Sequence, residues 1–552
     1  MEQNELFARY QYWLANVDAE MKAELEAIKE NETELEDRFY CDLSFGTAGM
    51  RGIMGAGTNR MNIYTVRKAT RGLAAWLKKQ SENNSVAIAW DTRIHSADFA
   101  MEAALTLGGC GIKAYLFQMP SATPLLSYAV RKLNCDAGIV ITASHNTKEY
   151  NGYKVYDRHG CQMVSEEAAE VASYVWEANP FEPHANETEI REKGLLIDLG
   201  EDALKDFCYE TMKQSHPIKP EAVNGLHIVY TPLHGSGLKP VSFALKEKGY
   251  HVNLVPEQST PDGNFPTVKK PNPEERDALV MAIRQAKESN ADLVLGTDPD
   301  CDRVGIAVCD GSGYRLLNGN QTGALLVNYL LERRKDHLKN NAVILKSIVT
   351  NDLGAEIAKK NGVTVKETLT GFKYIGEAIT AYEESGEYDF LMGYEESYGY
   401  LIGKHARDKD AVVTSLLIAE MAAYYKEQGS SLYDILKSLF HRYGYYLDDV
   451  DSVTYSGSAG KARMKEIMAD LRKNENLFGE EPVSILDYQE GICDLPPADV
   501  LKYVFEDGSW AAVRPSGTEP KLKIYYSIKG KNERDAASRL MTYSDILLSA
   551  TK

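Results

Sequence analysis

The chain has 552 residues, 44% of them apolar and 26% charged, and a formal net charge of −18 at pH 7. At roughly 100–200 residues per domain this length spans several domains, and the acidic balance argues against nucleic acid or an anionic membrane as the main partner. No apolar run reaches the ~18 residues of a membrane span. The N-terminus has no secretory pattern and the eight cysteines never form CxxC, so the chain reads as cytoplasmic with reduced thiols.

Residues 1–40 read as an acidic helical leader, with Met21, Leu25, Ile28 and Leu35 near helical spacing. A Gly-rich loop follows, running from Ser44 to Gly52, whose glycines open backbone N–H groups to an anion and whose Arg51 adds a cation. Then elements alternate: a helix over 64–79, a strand over 86–90 that runs into Asp91-Thr92-Arg93, a helix near 97–108 and a strand over 112–117. The apolar run 137–141 leads into TASHNTKEYNGY, residues 142–153. Loops at the carboxyl ends of parallel strands face the ligand crevice, so Ser144 is a candidate reactive hydroxyl. A serine that merely caps the turn is the plain alternative.

Residues 165–205 are acidic and partly irregular, with a loop over 178–189. The alternation restarts with strands over 227–230, 252–255 and 291–297, the last entering Asp298-Pro299-Asp300-Cys301-Asp302-Arg303. A third round places strands over 342–347 and 388–392, the latter entering Gly393-Tyr394-Glu395-Glu396-Ser397, then a core helix over 411–428. After 440 the texture becomes α+β and ends in the loop Arg514 to Lys521. The pattern predicts an α/β protein: three α/β domains with mixed, mostly parallel sheets, over 1–205, 206–320 and 321–438, plus a C-terminal α+β domain over 439–552.

Asp298, Asp300 and Asp302 alternate just past a strand end, where an extended turn aims all three at one point. Hard carboxylate oxygens favour Mg²⁺ or Ca²⁺ over zinc, and a site with few protein ligands suits Mg²⁺. An EF-hand fails, because Arg303 and Cys309 stand where its glycine and bidentate glutamate belong. The terminal loop supplies Arg514, Ser516, Gly517, Thr518 and Lys521, an inventory that suits a phosphate or an ordinary turn equally. Glu395 and Glu396 suit either sugar hydroxyls or a helix N-terminus. His145, His234 and His405 lie in suspect loops, and none is singled out. The chain lacks GxxxxGK[ST], HExxH, GxSxG and a strand-following GxGxxG, which excludes P-loop, zincin, α/β-hydrolase and dehydrogenase readings.

The order TASHN, DPDCDR, GYEESYG, RPSGTEP resembles the α-D-phosphohexomutase superfamily over nearly the whole chain, within it the phosphoglucomutase and phosphomannomutase branch that includes phosphopentomutases. The resemblance implies four domains around a central cleft, with Ser144 as the phosphorylated nucleophile and Asp298, Asp300 and Asp302 holding Mg²⁺ together with an oxygen on Ser144. It places Arg51 and Arg303 near the phosphoserine and makes Lys154 a candidate proton-transfer group. Glu395 and Ser397 match its sugar loop, Arg514, Ser516, Gly517 and Thr518 its phosphate loop, and Lys373 and Lys409 fall in loops that approach the ligand. Cys301 departs from the small residue usual there. The implied reaction interconverts glucose 1-phosphate and glucose 6-phosphate, with glucose 1,6-bisphosphate as intermediate and activator. Mannose or pentose phosphates, a Mg²⁺-dependent phosphatase and a silent sugar-phosphate sensor are the alternatives. The implied partners are small sugar phosphates, not nucleic acid or membrane, for a monomer or a dimer.

Overall fold

The structure, a computed structural model, describes residues 3–45, 49–455, 457–474, 477–478, 482–492, 494–516 and 521–551. The first sheet holds β1 (Gly49–Ile53), β2 (Ser85–Trp90), β3 (Lys113–Phe117), β4 (Ala137–Ile141), β5 (Tyr150–Tyr156) and β6 (Leu196–Leu199), in the order β1-β5-β4-β2-β3-β6. Its inner pairs β4–β2, β2–β3 and β3–β6 are parallel, whereas β5 turns back antiparallel onto β4. Because side chains alternate across a strand, Val86, Ile88, Ile139 and Ile141 pack into one core with Val66, Leu73 and Phe99. Ala87, Ala89 and Val140 pack into another with Leu125 and Leu126. The sheet is thus covered on both faces, which is why β4 reads as an unbroken apolar run.

The second sheet joins β7 (His227–Thr231), β8 (His251–Leu254), β9 (Leu293–Thr297), β10 (Val304–Cys309) and β11 (Tyr314–Leu317) in the order β11-β10-β9-β7-β8. The third joins β12 (Ala342–Ser347), β13 (Thr364–Thr368), β14 (Asp389–Glu395) and β15 (Gly399–Ile402) in the order β13-β12-β14-β15. Both keep parallel central pairs and add antiparallel edges. The fourth sheet, of β16 (Tyr445–Thr454), β17 (Ser484–Asp487), β18 (Leu501–Val504), β19 (Trp510–Pro515) and β20 (Lys521–Gly530), is antiparallel throughout. Three mixed α/β units and an α+β unit are as the sequence predicts.

The helix Ala411–Glu427 is buried nearly all round and packs on helices Glu201–Met212 and Leu238–Glu247 and on β9 and β15. It ties the first three units into one core. The fourth sheet closes on the third: Lys502 Nζ donates to Ile348 O at 2.8 Å and Trp510 Nε1 to Asp352 Oδ2 at 3.0 Å.

Several local expectations change. The leader is three helices, Gln3–Asn16, Ala19–Ala27 and Glu32–Phe39, because Asp18 and Asn31 cap new starts. The loop expected over 178–189 runs at its end into helix Glu187–Glu192, capped by Asn186. The expected domain edges at 205/206 and 320/321 fall inside helices Glu201–Met212 and Gly319–Arg334, which start at Gly200 and at an Asn318 capping box.

Candidate active site

Ser144 sits three residues past the end of β4, buried and at φ +51°. A non-glycine residue there costs about 1–2 kcal/mol, so the loop must be held, and it is. Ser144 N donates to Thr142 Oγ1 at 2.8 Å, and Thr142 Oγ1 donates to Asp91 Oδ2 at 2.7 Å. Arg93, buried beside Asp91, donates through Nη2 to Ser144 O at 2.6 Å and Asn146 O at 2.5 Å. Through Nη1 it reaches Thr147 O at 2.8 Å and Tyr150 O at 3.0 Å. One guanidinium therefore fixes four carbonyls of the serine hairpin.

Opposite, β9 ends in the aspartate loop. Asp298, Asp300 and Asp302 are all buried and each offers a carboxylate oxygen within 4.8 Å of the others. Asp298 Oδ1 accepts from the backbone N of Asp302 at 3.1 Å and of Arg303 at 3.0 Å. Cys301, at φ +54°, makes the turn and accepts at its carbonyl from Ala411 N, the first residue of the central helix. Ser144 Oγ donates to Asp298 Oδ2 at 2.9 Å, joining the first two units.

Lysines surround the triad. Lys154, on β5, donates to Asp300 Oδ2 at 3.0 Å and lies 3.8 Å from Asp302 Oδ2. Lys409 lies 3.2 Å from Asp302 Oδ2. Burial, with Asp300 and Asp302 close by, pushes the Asp298 carboxyl well above the usual range. Burial also pushes on Asp300, but Lys154 and its hydrogen bonds outweigh it and hold that carboxyl low. Asp300 Oδ1 and Asp302 Oδ1 are buried and accept no hydrogen bond. Buried carboxylate oxygens without partners are costly, and an all-oxygen donor set of this kind fits Mg²⁺.

Arg303 pairs with Glu274 and bridges Gly399, which brings the β14–β15 turn against the aspartate loop. Glu395 is the last residue of β14, not a helix N-terminus. Its Oε1 accepts from Gly371 N at 2.7 Å, and burial, then Glu396, pushes its carboxyl up to about 7. Ser397 is half-buried in the turn that follows. Arg51, on β1, donates to Asn146 Oδ1 at 3.0 Å. Lys373 has its Nζ 5.0 Å from the Tyr374 ring centroid and its carbonyl accepting from Cys161 Sγ. Arg514 and Ser516 are half-buried at the end of β19 and just past it, and Gly517 and Thr518 lie outside the described residues. Arg514 pairs in register with Lys523. Burial lowers the Lys523 ammonium, which lies within electrostatic reach of Glu396, Arg303 and Glu274.

Sequence reasoning passed over Thr123 and Glu274, and it named Arg93 and His145 in their loops without assigning either a role. His145 Nδ1 lies 3.1 Å from Ser144 Oγ, and burial, then Arg303 and Arg51, holds it well below the usual imidazole range, hence neutral. Thr123 Oγ1 donates to Asp300 Oδ2 at 2.9 Å. Arg93 carried a signal: it follows β2, the strand beside β4, so its loop opens on the same crevice. His234 and His405 are structural, bonded to Thr260 and Thr267 and to Asp410.

Four family models match in order. They are described as phosphoglucomutase/phosphomannomutase alpha/beta/alpha domain I over 42–180, domain II over 207–311, domain III over 318–443, and the C-terminal domain over 459–539. A phosphoglucomutase of Staphylococcus haemolyticus is 39% identical over 525 residues, 92% of this chain and 94% of that protein. One of Staphylococcus aureus is 37% identical over 527 residues, 92% and 93%. Among solved structures, the open form of the Paramecium phosphoprotein parafusin, a phosphoglucomutase, aligns with TM-score 0.71 at 17% identity over 93% of this chain and 95% of that one. A phosphoglucomutase/phosphomannomutase family protein of Burkholderia thailandensis aligns with TM-score 0.70 at 17% identity over 92% and 97%. Among the described residues no helix is long and apolar enough to cross a membrane.

Proposed function

The chain belongs to the phosphoglucomutase/phosphomannomutase family, and on that premise we propose that Ser144 is the residue that carries the phosphoryl group. The activity is that of an intramolecular phosphotransferase interconverting glucose 1-phosphate and glucose 6-phosphate, as the phosphoglucomutases above are named. The observation that carries the assignment is the 2.9 Å contact between Ser144 Oγ and the buried aspartate loop.

Asp298, Asp300 and Asp302 would hold Mg²⁺, which when bound neutralises charge on the phosphoryl oxygens. Phosphoserine 144 gives up its phosphoryl group to the free hydroxyl of the bound monophosphate: the Oγ–P bond breaks, the sugar O–P bond forms, and the hydroxyl proton ends on Ser144 Oγ, with Lys154 Nζ giving a proton to Oγ as it takes up the one the sugar hydroxyl loses. Arg303 and Arg51 face the charge spread over the equatorial oxygens of a loose transition state. Glucose 1,6-bisphosphate then reverses end for end and returns its other phosphoryl group to Ser144. Arg514, Ser516, Gly517 and Thr518 would grip the non-reacting phosphate, with Glu395, Ser397, Lys373 and Lys409 around the sugar. The units that carry these loops are taken as 1–205, 206–320, 321–438 and 439–552, and each interval encloses one sheet. The seven described cysteines are all free, which supports a cytoplasmic setting.

A coupled assay for glucose 6-phosphate from glucose 1-phosphate, with Mg²⁺ and trace glucose 1,6-bisphosphate, tests the reading. Bisphosphate-dependent turnover without phosphate release supports it; sustained release of inorganic phosphate in place of isomerisation refutes it.

A further inference from the structure

A cavity lies between the leader helices and the first unit and encloses about 440 Å³. That is within the ~300–1,000 Å³ of small-molecule sites. Five rings line it: Tyr12, Trp13, Phe45, Trp176 and Phe181. Phe181 meets Tyr12 and Trp13 edge-on with ring centroids 5.4 Å apart, forming a walled slot. Trp176 is 73% exposed and Tyr12 55% exposed at its mouth. Large aromatic side chains left open beside a concavity mark binding surface.

The polar part of the wall is cationic. Arg9 and Lys68 both pair with the single carboxylate of Asp42, which leaves one positive charge uncompensated in an otherwise acidic protein. Lys68 Nζ also stands 5.5 Å from the Trp176 ring centroid. Open aromatic rings beside two cations that share one carboxylate suit a flat aromatic group bearing one negative charge.

The position gives such a ligand a route to the cleft. Met50 on β1 lines the cavity, and the next residue, Arg51, faces the other way and holds Asn146 of the serine loop. β1 is the edge strand of its sheet, paired on one side with β5, and it meets the serine loop directly through Arg51, so a displacement of Met50 moves Arg51 within the same strand. We propose that this cavity is an effector site for a planar aromatic monoanion, and that its occupancy is read at the serine loop through β1. The effect on turnover rests on the mutase reading above; the binding does not.

The probe is 8-anilinonaphthalene-1-sulfonate, titrated into the full-length protein and followed by its fluorescence. Trp176→Ala removes the exposed ring and Ala172→Trp fills the cavity from its wall. The proposal expects saturable one-site binding, at least tenfold weaker in either variant, with at least a twofold change in turnover of glucose 1-phosphate when saturated. Amide exchange over residues 49–53 and 142–147 reads the same coupling without turnover, so a protein that binds and shifts exchange but isomerises nothing overturns the mutase reading alone. No saturable binding, binding indifferent to both substitutions, or binding that alters neither exchange nor turnover overturns the proposal.

Discussion

Ser144 Oγ and Asp298 Oδ2 lie 2.9 Å apart, across 154 residues of chain and between the carboxyl ends of β4 and β9. Each loop also turns on a left-handed non-glycine residue, Ser144 at φ +51° and Cys301 at φ +54°. Strain of this kind persists where surroundings over-determine it, and the geometry that follows sets the predictions.

The buried oxygens of Asp300 and Asp302 that accept no hydrogen bond predict a metal response. In thermal unfolding, Mg²⁺ at about 100 times its dissociation constant should stabilise the protein by ~2.7 kcal/mol. Asp302→Asn should abolish most of that gain, and a chelator should reverse it in the wild type. Equal gains in both proteins would place the metal elsewhere.

Arg93 fixes the serine hairpin through four carbonyls. Arg93→Lys should lower kcat by roughly 10- to 100-fold, because a lysine cannot span the four carbonyls and small misplacements of a reacting group are costly. Arg93→Ala leaves Asp91 buried without its cation and should cost about 3–5 kcal/mol in unfolding measurements.

Lys154 divides its contacts between Asp300 and Asp302 and is the proposed proton carrier. Lys154→Met should reduce kcat by ~10²–10⁴ while KM for glucose 1-phosphate changes little. A rise in KM with kcat intact would make it a binding residue instead.

Asp448, on β16, faces the third unit, where Asn351 Nδ2 donates to its Oδ2 at 2.8 Å. Burial pushes its carboxyl from the ordinary 3.8 up to about 7, against its hydrogen bonds, and its Oδ1 accepts none. The folded state therefore binds the extra proton between those values, and stability falls as pH rises through that window. Asp448→Asn should match the wild type near pH 4 and exceed it in unfolding temperature at pH 8. Parallel pH profiles would refute this.

The three α/β rounds and the aspartate loop were legible because β4 and β9 are continuous buried runs and the carboxylates alternate just beyond a strand. Lys154 was read without its setting: nothing in TASHNTKEYNGY announces that residues 150–156 return as β5, which is what carries Lys154 back to Asp300. Glu395 was placed in a loop because Gly393 resembles a strand end, yet the glycine continues β14, packed against Ile375. Arg93 was visible in its loop but without a role, because the carbonyls it holds lie on a hairpin some fifty residues on. Local pattern carries periodicity, not which loops meet.

The central claim is that Ser144 shuttles the phosphoryl group. Mass spectrometry of the protein after incubation with glucose 1,6-bisphosphate and Mg²⁺, followed by excess glucose 6-phosphate, tests it most directly. The account predicts one phosphoryl group on the Ser144 peptide that the monophosphate then removes as bisphosphate, and none in Ser144→Ala. A phosphoryl group on another residue, or one lost only as inorganic phosphate, would contradict it.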